Sequence, residues 1–288
     1  MKSIISGVAM LLFVQVSIAQ VAFKLYTKEG KEVSYDKMVK TLSKSDVVLF
    51  GELHNNAICH WMQLKVTNSL FERNGKLTLG AEMFESDGQL LINEYFAGQI
   101  SKKSFEKEMR LWDNYKTDYK PLLEFAHTNN LNFIATNIPR RYASMVHHKG
   151  FVMLDSLSDE AKSYIMPLPM VYDTTNPSAM KMMKMDFGHG VGGPVVEAMV
   201  KSQSTKDATM AHFILENLEK KTTFLHFQGD FHSANYGGIY WYLKYWKKNL
   251  DISTISTVEA DGDLSFKEEY AEMGDFILVI TEDMTKTY

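Results

Sequence analysis

The chain has 288 residues, 45% of them hydrophobic and 23% charged, with a formal net charge of −4. This is ordinary globular composition, long enough to bury a real core. No basic run or basic-aromatic interleaving points to nucleic acid, and the single cysteine, Cys59, excludes an internal disulfide.

Residues 1–19 have the layout of a secretory signal peptide. Lys2 supplies the positive start, residues 4–16 the apolar stretch, and Ser17-Ile18-Ala19 a small-x-small cleavage site before Gln20. As a membrane span the stretch is too short and is interrupted by Gln15, since a span needs ~20 apolar residues. No cysteine follows the cleavage site, so a lipid-anchor cysteine is missing. The expected product is soluble and exported, either periplasmic or secreted.

Residues 47–50 predict a buried strand, and Asn55 or Asn56 caps a helix that Gly75 ends. Residues 77–81 predict a second strand, followed at once by Glu82. Helical patterns cover residues 90–96, 105–112 and 121–128, the last with proline in its first turn. A third strand, 131–135, ends in Asn137-Ile138-Pro139-Arg140, and a short helix runs on to Gly150. Residues 158–194, with Pro167, Pro169, Pro177 and the run MKMMKM, read as an irregular, partly helical insertion at about 155–195. A long amphipathic helix over 195–220, a strand over 224–227, and Asp230-Phe231-His232 follow. A helix over IYWYLKYWKK and strands over 252–258 and 276–281 complete the set. Alternating strands and helices predict an α/β fold: a mostly parallel sheet flanked by helices, with a helical insertion. Residues 20–288 are expected to form a single domain.

Ligands of such sheets sit beyond the carboxyl ends of the strands, where loops converge. The polar residues cluster there: Glu52 and His54, then Glu82, then Asn137 and Arg140, then Asp230 and His232. The first and last groups share one word, Gly-acid-x-His, in Gly51-Glu52-Leu53-His54 and Gly229-Asp230-Phe231-His232. Composition alone predicts about 0.06 such words. Glycine lets the chain turn sharply, and imidazole with carboxylate either binds a divalent metal or passes a proton. The plainer alternative is that each histidine caps a helix or bonds a neighbouring loop. His60 follows His54 by about 600° of helical turn, so the two share no face within one helix. If the helix begins after His54, joint action stays open. Cys59 reads as a small core residue, with no basic neighbour to activate it.

At GELHNNAICH, GAEMFE, TNIPRR, KSQSTKDATMAHFI and QGDFHSANYGGI the sequence resembles the ChaN-type haem-binding uptake proteins of the Tiki superfamily. The resemblance spans roughly residues 45–250, with the motifs in the family's order. It implies an α/β sheet with a helical insertion. It also implies an exported protein of iron acquisition, working with outer-membrane uptake components. Such a protein binds haem between two monomers, through a tyrosine on the iron and a histidine and a lysine at the propionates. The wider superfamily includes metal-dependent peptidases and esterase-like hydrolases, whose motif positions here are Glu52, His54, Glu82 and His232. In that alternative His54, Glu82 and His232 hold a divalent metal such as zinc.

The haem tyrosine has no fixed position. Pro177-Ser178-Ala179-Met180 stands where it is sought and offers Met180, with Tyr172, Tyr164 and Tyr142 as alternatives. His189, in Phe187-Gly188-His189-Gly190, resembles a family histidine and is the candidate propionate or second ligand. Haem needs a flat apolar slot, an axial donor and cations at its propionates. Met170, Met180, Met182, Met183 and Met185 offer an adaptable wall, with Lys181 and Lys184 between them. A methionine-rich helix serves equally as core or oligomer contact.

Overall fold

A computed structural model describes residues 21–186, 188 and 192–288. The expected signal peptide and His189 lie outside these residues. Seven strands form one sheet: β1 (Phe23–Thr27), β2 (Val47–Glu52), β3 (Leu77–Glu85), β4 (Asn132–Asn137), β5 (Thr223–Gly229), β6 (Ile252–Ala260) and β7 (Phe276–Thr281). Their order is β1-β7-β6-β2-β5-β3-β4. Only β1 runs antiparallel to its neighbour. The expected α/β class holds.

Helices cover both faces. In chain order they are α1 (Tyr35–Leu42), α2 (Ala57–Asn74), α3 (Gln89–Phe96), α4 (Lys102–Glu108), α5 (Lys120–Thr128), α6 (Arg140–Lys149), α7 (Asp159–Lys162), α8 (Pro177–Lys184), α9 (Gly193–Glu216) and α10 (Gly238–Trp246). Strand residues alternate between faces, and the core divides accordingly. Val48 and Phe50 of β2 pack with α1, α2 and α5, whereas Val47 and Leu49 pack with α6, α9 and α10. None of the described helices is long and apolar enough to cross a membrane.

Local chemistry sets the element boundaries. The Asn56 side chain accepts from the amides of Ile58 and Cys59, and Gly75 closes α2 at φ 66°. The helix expected over 105–112 stops at Glu108, because Met109 turns extended. Strand β3 runs four residues beyond its expected end to Glu85, so Glu82 lies inside the strand and is buried. The reading of hydrophobic runs missed β1, which is short and alternating, and α1, which the Ser34 side chain caps.

Phe227 of β5 is fully buried and packs 6.4 Å from the ring of Phe50. Phe227→Ala is expected to cost roughly 3–5 kcal/mol through lost burial and a cavity, read as a lower urea midpoint. A change below about 1 kcal/mol would show that this centre is not close-packed.

Candidate functional site

The carboxyl ends of β2, β5, β3 and β4 open into a cleft of about 460 Å³. His54, Glu82, Asn137, Arg140 and His232 line it. Five of the residues singled out from the sequence therefore meet, although they are far apart along the chain.

Glu82 faces the α9 side of the sheet, and His232 follows β5 in a short turn. Their side chains meet, His232 Nε2 lying 3.0 Å from Glu82 Oε1. The other carboxylate oxygen of Glu82 accepts from the Gly229 amide at 2.8 Å. Nδ1 of His232 bonds Asp207 of α9. All three groups are buried. Burial alone would lower the imidazole pKa, but the two carboxylates outweigh it and push it up to about 10. Against the same burial, the His232 cation holds Glu82 well below the usual carboxylate range. Asp207 is pushed up by burial. The group is thus a buried cation held between two acids.

His54 is held differently. Its Nδ1 lies 2.9 Å from Glu52 Oε1. Glu52 also accepts from the Tyr119 hydroxyl at 2.7 Å and from the Gln63 side chain. Burial would lower the His54 pKa, but the Glu52 carboxylate raises it. The Nδ1 bond to a carboxylate fixes the tautomer and leaves Nε2 on the cleft side. The imidazole lies over the end of β5, where a Cβ on Gly229 would sit 2.7 Å from Nε2 and 3.5 Å from Glu82 Oε2. Glycine at 229 is what lets His54 reach the cleft. A carboxylate-held imidazole with a free Nε2 can accept a proton or a hydrogen bond from a bound molecule.

One expectation needs correction. Glu52 does not line the cleft. Val48, Phe50 and Glu52 share one strand face, so Glu52 points under α2 while Glu82 points toward α9. The shared word does not carry a shared role. Glu52 holds its own histidine, whereas Asp230 turns away from His232 to Ser256 and Thr257. Burial pushes Asp230 up to about 6, against those hydrogen bonds.

The zinc reading also finds no support. Among the described residues, no three His, Cys, Asp or Glu side chains are placed to hold a metal ion. Both nitrogens of His232 face carboxylates, Nε2 Glu82 and Nδ1 Asp207. His60 is buried and bonds Gln63 and the His54 carbonyl, each at 3.0 Å, so it braces the loop beneath His54. Cys59 is a buried core residue whose thiol pKa burial pushes up.

A second groove, of about 610 Å³, lies between the insertion and the start of α9. Tyr172, Met183, Met185, Pro194, Val196 and Glu197 line it. The Tyr172 ring packs 5.0 Å from Phe151, and its hydroxyl is buried with no partner among the described residues. Burial pushes that phenol's pKa up. Met180 and Lys184 are exposed on α8, outside this lining. Helix α8 is pinned by Asn176, whose side chain accepts from the amides of Ser178 and Gly238.

Sequence reading missed Asp207, Lys206, Tyr119 and Gln203, whose side-chain amide lies 3.0 Å from His232 Nδ1. Three of them stand in KSQSTKDATMAHFI, and Asp207 is the one to suspect there. It lies one residue before Ala208 and three before Met210 on the face that α9 buries.

The His232 cation stabilises the folded chain fully below about pH 6.5, the ordinary histidine value, and that contribution fades as pH rises through about 10. Glu82 works in the opposite direction: its contribution is present above about pH 4.5 and fades as pH falls. Resistance to urea should therefore be greatest between these limits. In NMR titrations His232 should stay protonated past pH 8, and Asp207→Asn should move its midpoint lower. A wild-type midpoint near the ordinary histidine value would contradict the paired cation.

The family described as haem-binding uptake, Tiki superfamily, ChaN, matches residues 38–243. Among solved structures, the chain is similar to ChaN of Campylobacter jejuni, described with cofacial haem binding. That likeness has a TM-score of 0.68 at 18% identity, over 90% of this chain and 97% of the other. A succinoglycan biosynthesis protein is similar at a TM-score of 0.51 and 13% identity, over 85% of this chain and 90% of that one. At these identities the structural likeness speaks for the fold. No curated protein matches the sequence significantly. The family match covers most of the chain, which therefore belongs to the ChaN family of haem-binding uptake proteins in the Tiki superfamily.

Proposed function

We propose that this chain binds haem in the groove beneath the insertion, as an exported protein of iron acquisition that hands its cargo among outer-membrane uptake components. The observation that carries the reading is the orphaned hydroxyl of Tyr172 at an apolar groove of about 610 Å³. A buried hydroxyl without a partner costs ~1–3 kcal/mol, which coordination to ferric iron would relieve. The residues present fit the ligand. Met183, Met185, Pro194 and Val196 supply an apolar wall. Lys184 at the end of α8 is exposed and makes no ion pair among the described residues, which suits a propionate. His189 remains the candidate for the second propionate or iron contact. Of the candidate iron donors, Tyr172 is favoured over Met180, because phenolate suits ferric iron and thioether suits softer states.

An exposed apolar strip supports dimerisation around the ligand. Met180, Met183, Met185 and Val195 are each 39–46% exposed. A second copy would cover this strip, as expected of an apolar patch that continues a ligand groove. The cofacial haem binding described for the Campylobacter jejuni ChaN supports haem as the ligand.

A second reading, hydrolysis at the cleft, draws on one observation: Glu52 holds His54 in the tautomer of a general base. It would end with His54→Ala.

Haem titration and sedimentation on one sample separate the readings. Wild-type protein should shift the Soret band and double its mass on saturation. Tyr172→Phe, which keeps the ring, should weaken binding at least tenfold, and His54→Ala should bind as wild type does. No spectral shift in wild type, or a loss in His54→Ala with Tyr172→Phe unaffected, would overturn the proposal.

A further inference from the structure

The cleft above His54 carries charge and hydrogen-bonding capacity that haem in the other groove leaves unused. Two cations stand on its wall, Arg140 at the start of α6 and Lys206 in α9. Neither makes an ion pair or a side-chain hydrogen bond among the described residues. Their neighbours do: Arg141 pairs with Asp87, and Lys201 pairs with Glu197 at 2.7 Å. The acids of the cleft are already answered, Glu85 by Arg110 at 2.8 Å and Glu82 by His232 at 3.0 Å. Lys206 does act at longer range on the buried Asp207, but the charged N–H groups of both cations stay open to a bound molecule.

Deeper in the cleft, two acceptors wait for donors. Asn137 is 8% exposed; its amide nitrogen donates to the Glu82 carbonyl at 2.9 Å, and its Oδ1 is buried with no partner among the described residues. The hydrogen bond of Nδ2 fixes which end of the amide is which, so the open position is an acceptor. In the neutral imidazole His54 Nε2 is the other acceptor, because Nδ1 donates to Glu52. A buried acceptor left open calls for an explanation, and a ligand supplies one.

We infer that the cleft is a second ligand site for a small oxyanion that carries its own O–H or N–H donor. The oxyanion lies between Arg140 and Lys206, and the donor meets Asn137 Oδ1 and His54 Nε2. Hydroxycarboxylates and phosphate monoesters share this chemistry, and a cleft of about 460 Å³ suits a molecule of that size. Guanidinium matches either oxyanion with two parallel N–H groups. The site is independent of the haem reading.

Calorimetric titration of the haem-free, full-length mature protein tests it, with citrate, tricarballylate (which lacks the hydroxyl) and glycerol 3-phosphate as probes. Citrate or glycerol 3-phosphate should bind, and which of them binds more tightly identifies the oxyanion. Arg140→Gln and Lys206→Gln, whose circular dichroism should match wild type, should each weaken that binding at least tenfold. Tricarballylate should bind at least tenfold more weakly than citrate if the carboxylate is the ligand. The His54 Nε2 signal in ¹⁵N NMR should move on saturation. No heat from citrate or glycerol 3-phosphate, or unchanged affinity in both variants, would overturn the inference.

Discussion

A buried imidazolium between two carboxylates fixes the architecture around which both candidate sites form. His232 joins the end of β5 to Glu82 of β3 on one side and to Asp207 of α9 on the other. Removing three ionisable groups from water is costly unless each finds its partner. The arrangement is therefore sensitive to the position of α9 on the sheet. Helix α9 in turn contributes Lys206 to the cleft and Val196 and Glu197 to the insertion groove. One charge cluster thus sets the wall of two separate cavities.

Strand alternation separates the two histidine systems. Successive side chains point to opposite faces, so Glu52 ends under α2 and Glu82 ends facing α9. His54 starts on the α2 side and crosses to the cleft over Gly229, where any side chain would collide with it. The result is two imidazoles in one cleft with different charge behaviour. His232 is locked as a cation, whereas His54 is partly exposed and keeps a free nitrogen.

The sheet and the rim of its carboxyl ends were legible in the sequence because they rest on local signals. Short apolar runs mark the strands, and Gly-acid-x-His marks where a strand stops and turns. The partners of those residues were not legible. Asp207 sits within a long helix between ordinary polar and apolar positions, and only the docking of α9 brings it to His232. Tyr119 reaches Glu52 from a π-helical turn, Tyr115–Tyr119, that no hydrophobic period predicts. The two words share a pattern but not a role: Glu52 holds His54, whereas Asp230 ties the turn to Ser256 and Thr257 of β6.

The proposals divide labour between an apolar groove with an orphaned phenol for haem and a charged cleft for something smaller. Anomalous diffraction at the iron absorption edge, from crystals grown with haem, tests this most directly. The account predicts an iron peak at bonding distance from the Tyr172 hydroxyl and none beside His54. An iron peak in the cleft between His54 and Glu82, with the groove at Tyr172 empty, would contradict it.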